Sequence, residues 1–150
     1  MNPFVQILMG TIGTFGFNIL FHIRGRKLWL STLGGLISWA VFLALEPVHN
    51  GEAIRYMISA SVITVYAEIM ARVMKTPTTT FLVPSIVPLI PGSALYYTMN
   101  YALNKQWSIF AQQAFYTLQL AFSLAAGIIA VTTLMRIFQA ALAHKTKKGI

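Results

Sequence analysis

The chain has 150 residues, 57% of them hydrophobic and only 9% charged, with a mean hydropathy of +0.68. That composition excludes an ordinary soluble domain and leaves room for a single transmembrane domain, residues 1–150, with about five crossings of roughly 20 residues each. The absence of cysteine excludes disulfides and thiolate metal sites. The net charge of +8 raises the question of a nucleic-acid partner, but the basic residues flank apolar runs as topology signals do, which argues against one.

Five apolar spans follow in chain order, at approximately 4–21, 28–45, 54–73, 81–101 and 107–138, so the expected fold is an all-α integral membrane protein. The first span has no basic residues before it and a positive cluster, Arg24, Arg26 and Lys27, after it. This pattern argues for a retained helix rather than a signal peptide, with the N-terminus outside. Alternating from that start places Arg24, Arg26, Lys27, Arg72, Lys75, Arg136, Lys145, Lys147 and Lys148 on the cytoplasmic side with the C-terminus, and only Arg55 and Lys105 outside. The tail lysines then read as anchors touching anionic lipid. Glu46 and Glu52, beside Pro47 and His49, read as loop groups in water.

The fourth span is built to break. Pro84, Pro88 and Pro91-Gly92 interrupt it, and each proline removes a backbone N–H and clashes with the carbonyl four residues back. The carbonyls of Thr80, Pro84 and Val87 are therefore expected to lose their helical partners. Phe81 to Pro91 is ten residues, or about 15 Å of helix, which puts the break near the middle of a core about 30 Å thick. Discontinuous helices of this kind build transporter sites, because irregular backbone survives at membrane depth only where protein or a wet cavity surrounds it. A new half-helix after the break would present the N–H groups of Gly92, Ser93 and Ala94 to a substrate carboxylate. The candidate substrate-binding residues are thus Pro88, Pro91, Gly92, Ser93 and Ala94, with Tyr96 and Tyr97 close enough to contribute. The alternative is a kinked helix whose prolines only shape packing.

Glu68 is the one acid inside an expected span, and so a candidate for proton coupling. Arg72, four residues later, offers the competing account of a structural ion pair. Asn18, Gln112, Gln113 and Gln119 are read as interhelical hydrogen-bonding groups, and Gly10, Gly13 and Gly16, with Ala121 and Ala125, as close-packing positions. Trp29, Trp107 and Tyr101 fall where interfacial anchors belong. An enzyme is not expected: His22, His49 and His144 are scattered, and there is no nucleophile motif or phosphate loop. No cofactor or metal is expected either.

The segment from Val83 to Met99, with Pro88-Leu89-Ile90-Pro91-Gly92 followed by Tyr96-Tyr97-Thr98-Met99, resembles the signature of the threonine/serine exporter family. Gly16-Phe17, Phe21, Arg26, Leu28, Gly34, Glu68, Ala71-Arg72 and Pro77 agree with it. The likeness is to the short subunit corresponding to that family's C-terminal half. It implies a secondary exporter of small polar metabolites, either threonine and serine or C4-dicarboxylates such as succinate, driven by the proton motive force. It also implies a bacterial inner-membrane location and a larger membrane subunit as partner, in a homo- or hetero-oligomer. The rival expectations are a non-transporting assembly subunit and a passive pore.

Overall fold

The computed structural model describes residues 2–48 and 51–148, with side chains within the last helix described as far as Ala141. His49 and the side chains of Lys145, Lys147 and Lys148 lie outside the described residues, and with them the expectations placed there. Six α-helices account for nearly all of the rest: α1 (Pro3–Leu20), α2 (Arg26–Ala44), α3 (Glu52–Val73), α4 (Thr79–Ile86), α5 (Gly92–Leu103) and α6 (Trp107–Lys148), with a 3₁₀ turn, Val87–Leu89, between α4 and α5. Among the described residues there is no strand.

Local chemistry sets the helix ends. Asn2 caps α1 by accepting from the Phe4 N–H at 3.3 Å, and Pro3 occupies the first helical position, where its missing N–H costs nothing. Helices α1, α3 and α5 stop in the same way. His22, Lys75 and Lys105 take left-handed φ values of 57°, 49° and 56°, and the following N–H turns back to a carbonyl inside the helix: Ile23 to Asn18, Thr76 to Ala71 and Gln106 to Tyr101. These are Schellman stops with a basic side chain where glycine is usual.

Helix α2 lies at the centre, with α1, α3 and α4 against it; α6 packs along α3, and α5 along α6. Lipid tails are as apolar as leucine, so close backbone approach and interhelical hydrogen bonds must supply much of the association. A Cβ on Gly35 would collide with Thr14 of α1, one on Gly34 with Ser85 of α4, and one on Gly127 with the Met57 carbonyl of α3. Asn18 donates to Thr32 Oγ1 at 3.0 Å, Ser85 to the Ser31 carbonyl at 3.1 Å and Tyr66 to the Leu30 carbonyl at 2.7 Å. The expected packing role of Gly13 and Gly16 is corrected here: a Cβ on either meets nothing within 4 Å, and only Gly10 faces a neighbour. Around α2 and α3, Phe42, Ile63, Ala67, Phe81, Leu89 and Leu120 form the apolar core.

Four helices, α1, α2, α3 and α6, are long and apolar enough to cross a membrane, and the pair Thr79–Leu89 and Gly92–Leu103, bent by 59°, makes a fifth if taken as one crossing. This is an all-α membrane protein with its fourth crossing broken. The helices begin and end within two residues of the expected spans, except that α6 continues to Lys148. Helices α3 and α6 run parallel, as Glu52 meets Tyr116, Ser61 meets Gly127 and Arg72 meets Gln139 along their lengths. The basic residues Arg24, Lys27, Arg72 and Lys75 therefore gather at one end of the bundle, hereafter the basic end.

Candidate functional site at the helix break

At the break the backbone recovers more of its hydrogen bonds than three prolines suggest. The Val87 N–H reaches the Pro84 carbonyl, and the Ile90 N–H reaches the Val87 carbonyl at 3.2 Å. Two of the three carbonyls expected to be free are thus recaptured, because tightening to 3₁₀ geometry substitutes an i→i+3 bond for the missing i→i+4 one. Pro91, at φ −74° and ψ 62°, then makes an inverse γ-turn in which the Gly92 N–H donates to the Ile90 carbonyl at 2.7 Å. Of the three N–H groups expected to face a ligand, that of Gly92 is occupied. Among the described residues those of Ser93 and Ala94 have no backbone acceptor, and Pro91 supplies no side-chain cap.

Neighbouring helices act as a ruler for depth. Pro88 stands beside Gly10 and Trp39. Gly10 is seven residues from the start of α1 and ten from its end, about 10 Å and 15 Å. Trp39 is five residues from the far end of α2 and thirteen from its start, about 8 Å and 20 Å. The break therefore lies slightly toward the half of the bundle away from the basic end, about 2 Å from the middle of α1 and about 6 Å from the middle of α2.

A cavity of about 320 Å³ opens at this point. Of the candidate residues, Pro91, Ser93, Ala94 and Tyr97 line it, together with Gln113. Pro88 packs against Gly10 instead, Gly92 faces open space, and Tyr96 is 66% exposed and in edge contact with Tyr97. The other walls come from α2, α3 and α6: Trp39, Phe42, Glu52, Tyr56, Tyr116 and Leu120.

Glu52 corrects the reading of its surroundings as a watery loop. Glu52 is the first residue of α3, and its Oε2 accepts from the Tyr116 hydroxyl of α6. Arg55 is only 8% exposed; its Nη2 is 3.5 Å from Glu52 Oε1 and its guanidinium lies 4.8 Å from the centroid of the Phe42 ring. Among the described residues the Nε of Arg55 and the indole N–H of Trp39 are both buried without a partner. An acid at the first helical position with a base three residues on is an ordinary helix-start pattern, and that signal was present in the sequence.

Glu68 sits at the basic end in a separate cluster. Its Oε2 accepts from Arg72 Nη2 at 2.8 Å, and its Oε1 from Thr78 Oγ1 at 3.3 Å. Arg72 also donates to the Gln139 amide oxygen of α6, through Nε at 3.2 Å and through Nη2. The cluster lines a shallow cavity of about 390 Å³. A larger one of about 600 Å³, walled by Arg24, Lys27, Thr79 and Thr80 among others, opens at the same end. Among the described residues no three His, Cys, Asp or Glu side chains converge as metal ligands would.

No curated protein and no solved structure matches the chain. The family model described as threonine/serine exporter, ThrE, matches residues 6–134, which take in the broken helix, all of α3 and most of α6. The chain belongs to the threonine/serine exporter family.

Proposed function

We propose that this chain is a membrane subunit of a secondary exporter of small polar metabolites and that its substrate binds in the cavity at the helix break. The observation that carries this reading is that Ser93 and Ala94, in the first turn of a half-helix, line a half-open, aromatic-walled cavity of about 320 Å³. That volume is at the small end of ligand pockets and suits a metabolite rather than a cofactor. The helix dipole and the free donors favour a carboxylate. Threonine, serine and a C4-dicarboxylate such as succinate all carry one.

In this reading the basic end faces the cytoplasm of a bacterial cell and the N-terminus lies outside, by the positive-inside bias. A larger membrane subunit of the same family completes the transporter. Glu68 is the coupling carboxylate: a proton arriving there would weaken its hold on Arg72 and Thr78, and so loosen α3 from the loop before α4. Because the chain has no native cysteine, Asn104→Cys and Pro77→Cys test the orientation directly. An impermeant maleimide on intact cells should label position 104 and spare position 77; the reverse pattern would invert the topology.

The site is tested by two variants in cells where each replaces the native copy, so that any partner is present. Pro88→Ala with Pro91→Ala lets the helix close, and Ser93→Pro removes one donor in the first helical turn, where proline is tolerated. Each should lower export at least tenfold while the protein still inserts and assembles. Unchanged export from inserted, assembled variants would place the substrate elsewhere.

A further inference from the structure

The cavity carries two opposite poles. On one wall are Ser93 and Ala94, at the positive end of α5; on another is Glu52, at the start of α3. Glu52 is half-open, with 44% of its side chain exposed, whereas Arg55 behind it is buried. The Arg55 Nη2 to Glu52 Oε1 separation of 3.5 Å exceeds the roughly 2.7–2.9 Å of a charge-assisted hydrogen bond, so Oε1 is oriented and charge-balanced by the arginine without being filled by it. Oε2 is taken by Tyr116. One carboxylate oxygen therefore remains able to accept from a cation in the cavity, beside the faces of Trp39, Phe42, Tyr56 and Tyr97, which also favour positive charge.

We propose that Glu52 binds the ammonium group of the substrate, and that this contact makes the cavity selective for α-amino acids over dicarboxylates. The inference rests on the transport role proposed above and adds the specificity residue. A zwitterion matches both poles at once, its carboxylate at the α5 start and its ammonium at Glu52. A dicarboxylate satisfies the first pole and sets its second carboxylate against the like charge of Glu52. Arg55 does not line the cavity and is a positioning residue, holding the Glu52 carboxylate in place.

The test uses everted vesicles from the native cell, with variants replacing the chromosomal copy, and compares threonine with 3-hydroxybutanoate, which lacks only the ammonium group. Wild-type vesicles should take up threonine and be inhibited by 3-hydroxybutanoate at least about tenfold more weakly than by unlabelled threonine, as expected when a buried polar group loses its partner. Glu52→Gln keeps an acceptor for Tyr116 but removes the charge, and should collapse that ratio toward one while raising inhibition by succinate. Since Glu52→Gln leaves Arg55 buried and uncompensated, Glu52→Gln with Arg55→Gln is the second variant, and it should show the same collapse. A variant that weakens both ligands equally, keeping the ratio, would overturn the ammonium contact while leaving the transport site intact. Uptake of succinate without threonine in wild-type vesicles would overturn the ammonium contact and leave the transport reading, and uptake of neither would overturn both.

Discussion

Helix α3 holds a carboxylate at each end, Glu52 and Glu68, and each has an arginine about one turn later and a hydroxyl from another segment. The two clusters invert each other in burial. Glu52 is 44% exposed over a buried Arg55, at 3.5 Å, whereas Glu68 is 15% exposed beneath an Arg72 that is 40% exposed, at 2.8 Å. In the first, the acid is the group left facing a cavity; in the second, it is closed between two donors and the arginine faces outward. A similar spacing on one helix thus produces one open carboxylate and one clasped one, and the difference comes from what packs behind the arginine: Phe42 in one case, Gln139 and the surface in the other.

The most damaging way to break this comparison is to separate α3 from α6, since α6 supplies both Tyr116 and Gln139. Gly127→Leu drives a side chain into the Met57 backbone carbonyl and against Ala60, which cannot yield as a flexible side chain would. We expect a loss of about 3 kcal/mol or more, at the upper end of overpacking costs, read as a lowered unfolding midpoint in detergent, with both clusters disrupted together. Loss of only one cluster would show that α3 and α6 do not act as a rigid pair.

Neutralising the two acids separately should give unequal costs. Glu52→Gln strands a buried guanidinium, relieved only by the Phe42 ring, and should cost about 2–3 kcal/mol. Glu68→Gln leaves Arg72 with solvent and Gln139 and should cost about 1 kcal/mol or less. Equal costs would erase the distinction drawn from burial. The same Glu68→Gln protein sharpens the functional half of the comparison. If Glu68 couples protons, flux driven by a pH gradient should vanish while exchange at equal pH persists, and driven flux at the wild-type rate would remove it from the coupling role.

Removal of the hydroxyls gives a more even response, between those two. Tyr116→Phe and Thr78→Val each delete one hydrogen bond to a carboxylate, worth about 1–1.5 kcal/mol. Tyr116→Phe should also weaken threonine transport, because the Glu52 carboxylate loses one of its two tethers. Thr78→Val, far from the cavity, should leave threonine affinity unchanged; a matching loss of affinity would mean that the two ends communicate through α3.

Much of this was readable before the structure. Apolar length marked every helix, and three prolines in one span marked the break, since no packing arrangement restores an N–H that proline lacks. What the sequence concealed was how the chain repairs itself. The 3₁₀ turn at Val87–Leu89 and the γ-turn at Pro91 consume the Pro84 and Val87 carbonyls and the Gly92 N–H, and local hydrogen bonding of that kind follows from backbone angles that residue type only weakly restricts. Glu52 was misplaced for a different reason. Starting the third span at Ile54 left Glu52 in the loop, although a Glu–Arg pair can enter a membrane helix when each compensates the other and an aromatic ring covers the base. Gly13 and Gly16 show the converse error: spacing identified a stripe of small residues, but only partner geometry decides which glycines meet a neighbour, and the close approaches are at Gly34, Gly35 and Gly127.

The smallest effect concerns how α3 and α5 end, one at each end of the bundle. Lys75 and Lys105 both hold left-handed backbone, at φ 49° and 56°, which for a residue with a Cβ costs about 1–2 kcal/mol relative to glycine. Against that, a lysine at a helix C-terminus gains up to about 1 kcal/mol from the dipole. Lys75→Gly and Lys105→Gly should therefore each stabilise by about 0.5–1 kcal/mol, visible as a raised unfolding midpoint. Their consequences for insertion should nevertheless differ. Lys75 belongs to the charge cluster that holds the basic end in place, so its loss should erode uniform topology slightly. Lys105 opposes that bias, and its removal should strengthen it. A mixed population of orientations after Lys105→Gly, with Lys75→Gly uniform, would reverse the assignment of the two ends.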